Sequence, residues 1–171
     1  YDPHSWLDPS HAMFQVGVIR DALIRLDPDH ADFFRSNAEQ YIEKIQSLDA
    51  AYFEMLQRAS QKNILLSHAF YRYPAKRYGL NIVETIEDES AVEPTSGHIK
   101  DVIDRINQFG ITTLLAEPNY NSNVLDVLLN DMNLKIEILD PLETSPGEVT
   151  RDTYLAILEQ NRLSLMRVLE L

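Results

Sequence analysis

The sequence predicts an α/β fold, in which a mainly parallel four-stranded sheet is flanked by helices and preceded by one long linking helix. Three observations lead to this prediction. From residue 63 onward, short apolar segments alternate with amphipathic segments of helical period, as in consecutive βαβ units. Before them, residues 28–60 contain no glycine and only the initial proline. Gly79 and Gly110 follow two of the amphipathic segments, where helix C-caps are expected.

The first two helices are predicted from their start signals. Asp8-Pro9 indicates a helix start, because aspartate caps free N–H groups and proline fits the first helical position; this helix should reach Leu26. Asp27-Pro28 repeats the pattern before the long helix, which at 1.5 Å per residue would span roughly 50 Å and either bridge two bodies or flank a whole one. Its apolar stripe recurs every three or four positions: Phe34, Ala38, Tyr41, Ile45, Leu48, Tyr52 and Met55.

The remaining elements alternate along the chain. Strands are predicted at 63–67, 80–86, 111–116 and 134–139. Helices are predicted at 70–79, 96–110, 122–133 and 149–171. Between them, residues 87–97 form the longest predicted loop, which is acidic and is expected at the rim of a site.

Composition restricts the class of function. The chain has 171 residues, of which 44% are hydrophobic, enough for one domain with a proper core. With 15 Lys+Arg against 27 Asp+Glu, the net charge of −12 disfavours nucleic acid as a partner and attracts cations. Because cysteine is absent, metal ligands would have to come from His, Asp and Glu.

Three ligand-type residues directly follow predicted strands: His68, Glu117 and Asp140. Ligands of open parallel sheets bind beyond the carboxyl ends of the strands, so we expect these side chains to share one edge. The alternative is that each residue only caps a turn or a helix start. The strand ends alone do not decide between these interpretations.

The opening segment YDPHSWLDPSHAM adds a further candidate, His4, in a loop bounded by two prolines. A rigid loop loses little side-chain entropy when a residue coordinates a metal. His4, His68 and Asp140 would supply two imidazoles and a carboxylate with room for one more ligand, which suits Zn²⁺ and also Mn²⁺. The other histidines are interpreted as surface residues near helix starts: His11, His30 and His98.

The chain resembles the zinc and manganese substrate-binding proteins of ABC importers. The resemblance rests on blocks that run in family order along essentially the whole chain. They are DPHSWLDPSHA, DPDHADFFRSNAEQYIEKIQSL, HAFYRYPAKRYGL, AEPNYN, DPLE and DTYLAILEQNRLSLMRVL.

The resemblance implies a site between two lobes. His4 would come from the end of the amino-terminal lobe, and His68 and Asp140 from the carboxy-terminal lobe, whereas a fourth ligand in the family lies far upstream and has no counterpart here. Residues 1–27 would then be a remnant of the amino-terminal lobe, 28–60 the inter-lobe helix and 61–171 the carboxy-terminal α/β lobe. Histidine at position 68, where manganese-specific members tend to have glutamate, favours zinc.

Four departures from the family pattern affect this assignment of ligands and lobes. His11 replaces the usual asparagine and adds a ligand-type side chain, and Pro74, in a slot often aromatic, is expected to bend the helix after His68. Glu143 replaces the glycine of DPLG, so the backbone beside Asp140 is expected to differ. The His-rich loop of some zinc members is absent.

The function implied by the resemblance is extracytoplasmic capture of a divalent metal ion as transported ligand and its delivery to an ABC permease, without a chemical reaction. The location would be periplasmic, or extracellular and membrane-associated. The alternatives are a manganese-binding member, a metallohydrolase with Glu117 as general base, and a surface adhesin. An apolar face of the first helix, left without its lobe, is a candidate surface for homodimerisation.

Overall fold

The computed structural model describes residues 2–87, 94–118, 120, 128–129, 131–144 and 147–171. Within them, a four-stranded parallel sheet is covered by helices, which confirms the predicted fold class. Most of the helix predicted at 122–133 and the middle of the loop predicted at 87–97 lie outside the described residues.

Two helices open the chain: α1, Pro9–Leu26, and α2, Ala31–Gln57. The carboxylate of Asp8 caps α1 by accepting a hydrogen bond from the Ser10 N–H at 2.8 Å, as predicted. A 3-10 turn at Pro28–His30 precedes α2, so the long helix begins at Ala31 rather than at residue 28. Its 27 residues extend over about 40 Å.

The sheet has the strand order β2-β1-β3-β4, and every neighbouring pair is parallel. The strands are β1, Asn63–Leu66; β2, Asn81–Thr85; β3, Thr113–Ala116; and β4, Lys135–Ile138. Leu66 of β1 pairs with Leu115 of β3 at the centre of the sheet. The carboxyl ends of β1 and β3 therefore lie side by side.

Three further described helices cover this sheet: α3, Arg72–Tyr78; α4, Ser96–Phe109; and α5, Thr153–Val168. As predicted, α3 and α4 end at Gly79 and Gly110, with φ of 71° and 62°, a left-handed conformation that costs glycine no steric penalty. Pro74 lies in the first turn of α3, where a missing N–H breaks no helical hydrogen bond. Instead of bending a helix that starts at residue 70, Pro74 belongs to one that starts at Arg72.

Apolar side chains of the central strands are buried on both faces of the sheet, as expected for a parallel sheet. On one face, Leu66 and Leu115 pack in a core with residues of α2, α3 and α5. On the other face, Leu65 and Leu114 pack against α4. The first core also contains Leu7, so it includes the segment that carries His4.

Three tyrosines are almost fully buried in the first core: Tyr52, Tyr71 and Tyr78. The Tyr52 hydroxyl donates a hydrogen bond to the Leu158 carbonyl at 2.6 Å, and that of Tyr78 donates to the Asp49 carboxylate at 2.7 Å. Burial is the main cause that raises the pKa of all three phenols above the ordinary value of 10.0.

We expect the free energy of unfolding to fall as the pH rises above 10. The unfolded chain then loses its tyrosine protons while the folded chain retains them, so the unfolded state binds fewer protons and stability decreases with pH. Urea unfolding on both sides of this pH checks the direction, and absorbance of tyrosinate reports the ionisation itself. Equal unfolding free energies would contradict the prediction.

One face of α1 exposes large apolar side chains. They are Phe14, Val18, Ile19, Leu23 and Leu26. This is the face proposed from the sequence for homodimerisation, which stays a prediction. Among the helices of the described residues, none combines the length and the apolar character that crossing a membrane requires.

Candidate metal centre

Three side chains that are distant in the chain converge beyond the carboxyl end of β1. His4, His68 and Glu143 each offer one ligand atom, and these atoms all lie within 4.8 Å of one another. The His4 Nε2 is 2.7 Å from the Glu143 Oε1, and the two imidazole centroids are 5.7 Å apart. His4 is buried, His68 is half-buried and Glu143 is exposed, so the cluster opens to solvent on the Glu143 side.

The loop that carries His4 is anchored to the rest of the molecule. After His4, a 3-10 turn at Ser5–Leu7 turns the chain back toward the core. The Trp6 indole N–H donates to the Pro141 carbonyl at 2.8 Å, and the Tyr154 hydroxyl donates to the Trp6 carbonyl at 2.8 Å. The first bond joins the His4 loop to the segment that contains Glu143, and the second joins it to α5.

His68 is positioned by the end of β1. The Ser67 N–H donates to the Leu115 carbonyl at 2.9 Å, which extends the parallel ladder one residue beyond the strand. The His68 ring then packs on Phe70, with 4.8 Å between centroids. Since Phe70 is fully buried, it fixes the direction of the imidazole.

Glu143 ends a turn that follows β4. Asn161 holds both backbone groups of Asp140, accepting from its N–H at 2.7 Å and donating to its carbonyl at 2.8 Å. The Asp140 Oδ1 accepts from the Leu142 N–H at 2.8 Å. Leu142 has a φ of 61°, a left-handed conformation that is unfavourable for leucine and that clusters at functional sites in proteins. This turn directs Glu143 toward the histidines.

Two further carboxylates contact the Nδ1 atoms of the two histidine rings. The Asp2 Oδ1 is 2.7 Å from the His4 Nδ1, and the Glu117 Oε1 is 2.9 Å from the His68 Nδ1. The Nε2 of each ring is therefore the nitrogen left for a metal.

The sequence-predicted set was His4, His68 and Asp140. The structure brings His4 and His68 together, but the third residue of the cluster is Glu143. The carboxylate of Asp140 instead bonds within its own turn, and its role as a ligand stays a prediction. In the sequence, Glu143 is notable only because it replaces the glycine of DPLG. That replacement is the one sequence signal that could have pointed to Glu143 as a ligand.

The other three histidines lie elsewhere. His11 is exposed, with its ring 5.1 Å from that of Tyr73. The Nδ1 of His30 is 2.8 Å from Asp27 on the surface. His98 at the start of α4 donates from Nε2 to the carbonyl of Thr85 at 2.9 Å, so it closes the end of β2.

The donor atoms of the cluster suit a cation of intermediate softness such as Zn²⁺. Two imidazole nitrogens and one carboxylate oxygen are common zinc ligands, and a tetrahedral site with bonds of about 2.0–2.2 Å places its ligand atoms about 3.4 Å apart. To bind zinc, the 2.7 Å distance between the His4 Nε2 and the Glu143 Oε1 would have to lengthen. Ligand atoms of the cluster that are up to 4.8 Å apart would have to move closer together. Both changes would have to come from rotation of these side chains.

Comparisons with known proteins identify the family of the chain. The model of the ZnuA family, described as zinc-uptake complex component A, periplasmic, matches residues 1–168. The zinc-binding lipoprotein AdcA of Streptococcus pneumoniae is 34% identical over 167 residues, 96% of this chain. The chain spans 33% of the length of that relative.

Solved structures give the same result for the fold. The Zn(II)-bound ZnuA-like domain of Streptococcus pneumoniae AdcA superposes with a TM-score of 0.81 at 32% identity, covering 100% of this chain and 65% of that one. The laminin-binding protein Lmb of Streptococcus agalactiae, described as a bifunctional protein with adhesin and metal transporting activity, gives 0.87 at 28% identity, with coverage of 99% and 65%. The chain therefore belongs to the ZnuA family, zinc-uptake complex component A, periplasmic.

Proposed function

We propose that this chain captures zinc outside the cytoplasm for delivery to an ABC importer, and that His4, His68 and Glu143 are its ligands. The observation that carries the proposal is the convergence of these three side chains within 4.8 Å. Family membership and the zinc-binding relatives support the same cargo. The protein would lie in the periplasm or at the extracellular face of the membrane, with an ABC permease as partner.

Charge supports cation capture by this cluster. Glu143 neutralises one of the two charges of Zn²⁺, and Asp2 and Glu117 add negative charge within hydrogen-bond distance of the histidine ligands. The net charge of −12 also raises the cation concentration near the surface. Because Glu143 is exposed whereas His4 is buried, the ion would enter and leave on the Glu143 side.

Zinc is favoured over manganese by the types of donor atom. Two imidazoles and one carboxylate match zinc, whereas manganese prefers sites that are richer in oxygen ligands. The hydrolase alternative is disfavoured, because its general base Glu117 is hydrogen-bonded to the Nδ1 of His68. The adhesin activity is described for Lmb, a relative of this chain.

The three-part division of the chain at residues 27 and 60 remains part of this proposal. Trp6 and Tyr154 fasten the His4 loop to residues of the third part. We infer that the loop and the carboxy-terminal lobe act as one body when the metal binds. Release would then need a movement of Glu143 or of a ligand from outside this body, rather than separation of His4 from His68.

Zinc titration tests the proposal. Trp6 is the single tryptophan, and its ring lies 5.5 Å from that of His4, so zinc binding should change the tryptophan fluorescence. We expect a saturable change at one zinc per chain, the same stoichiometry by calorimetry, and weaker binding of manganese. A His98→Gln variant should bind like the unmodified chain, because His98 lies outside the cluster. Absence of saturable zinc binding, or loss of binding in His98→Gln, would contradict the proposal.

A further inference from the structure

We propose that Asp2 and Glu117 are positioning residues, which hold the Nδ1 atoms of His4 and His68 so that both Nε2 atoms face one cation. This inference rests on the proposed function, because it assumes that the two histidines bind the metal. It assigns a task to two carboxylates that are outside the cluster of candidate ligands.

The contact between Glu117 and His68 follows from the sheet. In the parallel pairing of β1 with β3, Leu65 lies opposite Leu114 and Leu66 opposite Leu115. The same offset, continued past the strand ends, places His68 opposite Glu117, and their side chains meet at 2.9 Å. Both side chains are about three-quarters buried, so water competes little for this bond.

The contact between Asp2 and His4 follows from the turn. The Asp2 Oδ1 accepts from the backbone N–H of His4 at 3.0 Å and also contacts its Nδ1 at 2.7 Å. The Tyr73 hydroxyl donates to the Asp2 backbone carbonyl at 3.1 Å, which fixes the backbone of Asp2 to α3. The Asp2 Oδ2 is buried without a hydrogen-bond partner among the described residues. A buried, partly satisfied carboxylate is stabilised when a cation binds nearby.

The chemical consequence concerns the tautomer of the imidazoles. The hydrogen bond made by one ring nitrogen determines which nitrogen carries the proton and which is available to a metal. A carboxylate accepting from Nδ1–H leaves the Nε2 lone pair free for a metal. Loss of such an outer partner typically weakens metal binding about 10- to 100-fold.

The decisive experiment measures the tautomer of His68 in the metal-free chain by long-range ¹⁵N–¹H NMR correlation at about pH 8.5, above the ordinary histidine pKa of about 6.5. We expect the Nδ1–H tautomer in the unmodified chain and a shift toward Nε2–H in Glu117→Leu. The matched control is Glu87→Gln, which removes a carboxylate at the end of β2 but keeps a partner for Tyr120. An unchanged tautomer in Glu117→Leu, or the same shift in the control, would overturn the proposal.

Zinc affinity provides the second readout. We expect Glu117→Leu and Asp2→Ala each to weaken binding about 10- to 100-fold. Asp2→Asn keeps an acceptor for the Nδ1–H of His4, so it should recover most of the affinity that Asp2→Ala loses. Equal losses in Asp2→Asn and Asp2→Ala would contradict positioning and indicate that only the charge matters.

Failure of the positioning role and failure of the proposed zinc function would give different results. The NMR measurement uses no metal, so it decides the role of Glu117 even if the chain does not bind zinc. Conversely, if zinc binds and the Glu117→Leu variant retains full affinity with an unchanged tautomer, the proposed function stands and the positioning role fails.

Discussion

Glu143→Gln is expected to weaken zinc binding more than about 100-fold, beyond the loss typical of an outer partner. The substitution keeps the shape of the side chain but removes the anionic oxygen that lies 2.7 Å from the His4 Nε2. A neutral amide oxygen is a poor substitute for a carboxylate as a zinc ligand. Calorimetry or competition with a fluorescent chelator measures the change.

Asp140→Asn is the matched control for this experiment. Asparagine can still accept the hydrogen bond from the Leu142 N–H, so the turn should survive and the affinity should change less than about threefold. The pair of variants distinguishes the two candidate third ligands. A large loss in Asp140→Asn together with a small loss in Glu143→Gln would identify Asp140, the residue predicted from the sequence.

Arg77→Met is expected to lower the free energy of unfolding by about 3–5 kcal/mol, the cost of leaving a buried charge without its partner. Arg77 on α3 donates to the Asp49 carboxylate of α2 through Nε and Nη2, and the side chain of Asp49 is 13% exposed. The guanidinium also lies 5.2 Å from the centre of the Phe53 ring. Only the Tyr78 hydroxyl would remain as a side-chain partner of Asp49 among the described residues.

Two further variants make this prediction specific. Arg35→Met removes an exposed pair with Asp32 and should cost less than about 1 kcal/mol. The double variant of Arg77→Met with Asp49→Asn should recover part of the loss, because the charge of Asp49 is then no longer left without a partner. Urea unfolding of the variants gives the comparison. Similar losses in Arg77→Met and Arg35→Met would contradict the structural account.

Much of the fold could be predicted from hydrophobic period and local start and stop signals. Asp8, Gly79 and Gly110 act through local backbone geometry, so the sequence reveals their role. The start of α3 was predicted too early. The aromatic run before Pro74 has helical spacing, but the turn that places His68 at the end of β1 occupies these residues instead.

Only part of the candidate cluster could be nominated from the sequence, for a physical reason. His68 and Glu117 could be nominated because the ends of parallel strands share an edge, but their pairing depends on the register of β1 with β3. Whether Asp140 or Glu143 faces the histidines depends on a turn in which Leu142 has a positive φ. Such a conformation is typical of glycine or asparagine, so a leucine at this position does not reveal the turn. Tertiary hydrogen bonds from Asn161 hold that turn.

The anomalous diffraction of zinc in a crystal of the loaded chain tests the central claim most directly. The account predicts one strong peak bonded to the Nε2 of His4, the Nε2 of His68 and an oxygen of Glu143, at distances of about 2.0–2.2 Å. A zinc peak bonded to other residues, or to the Nδ1 of either histidine, would contradict it.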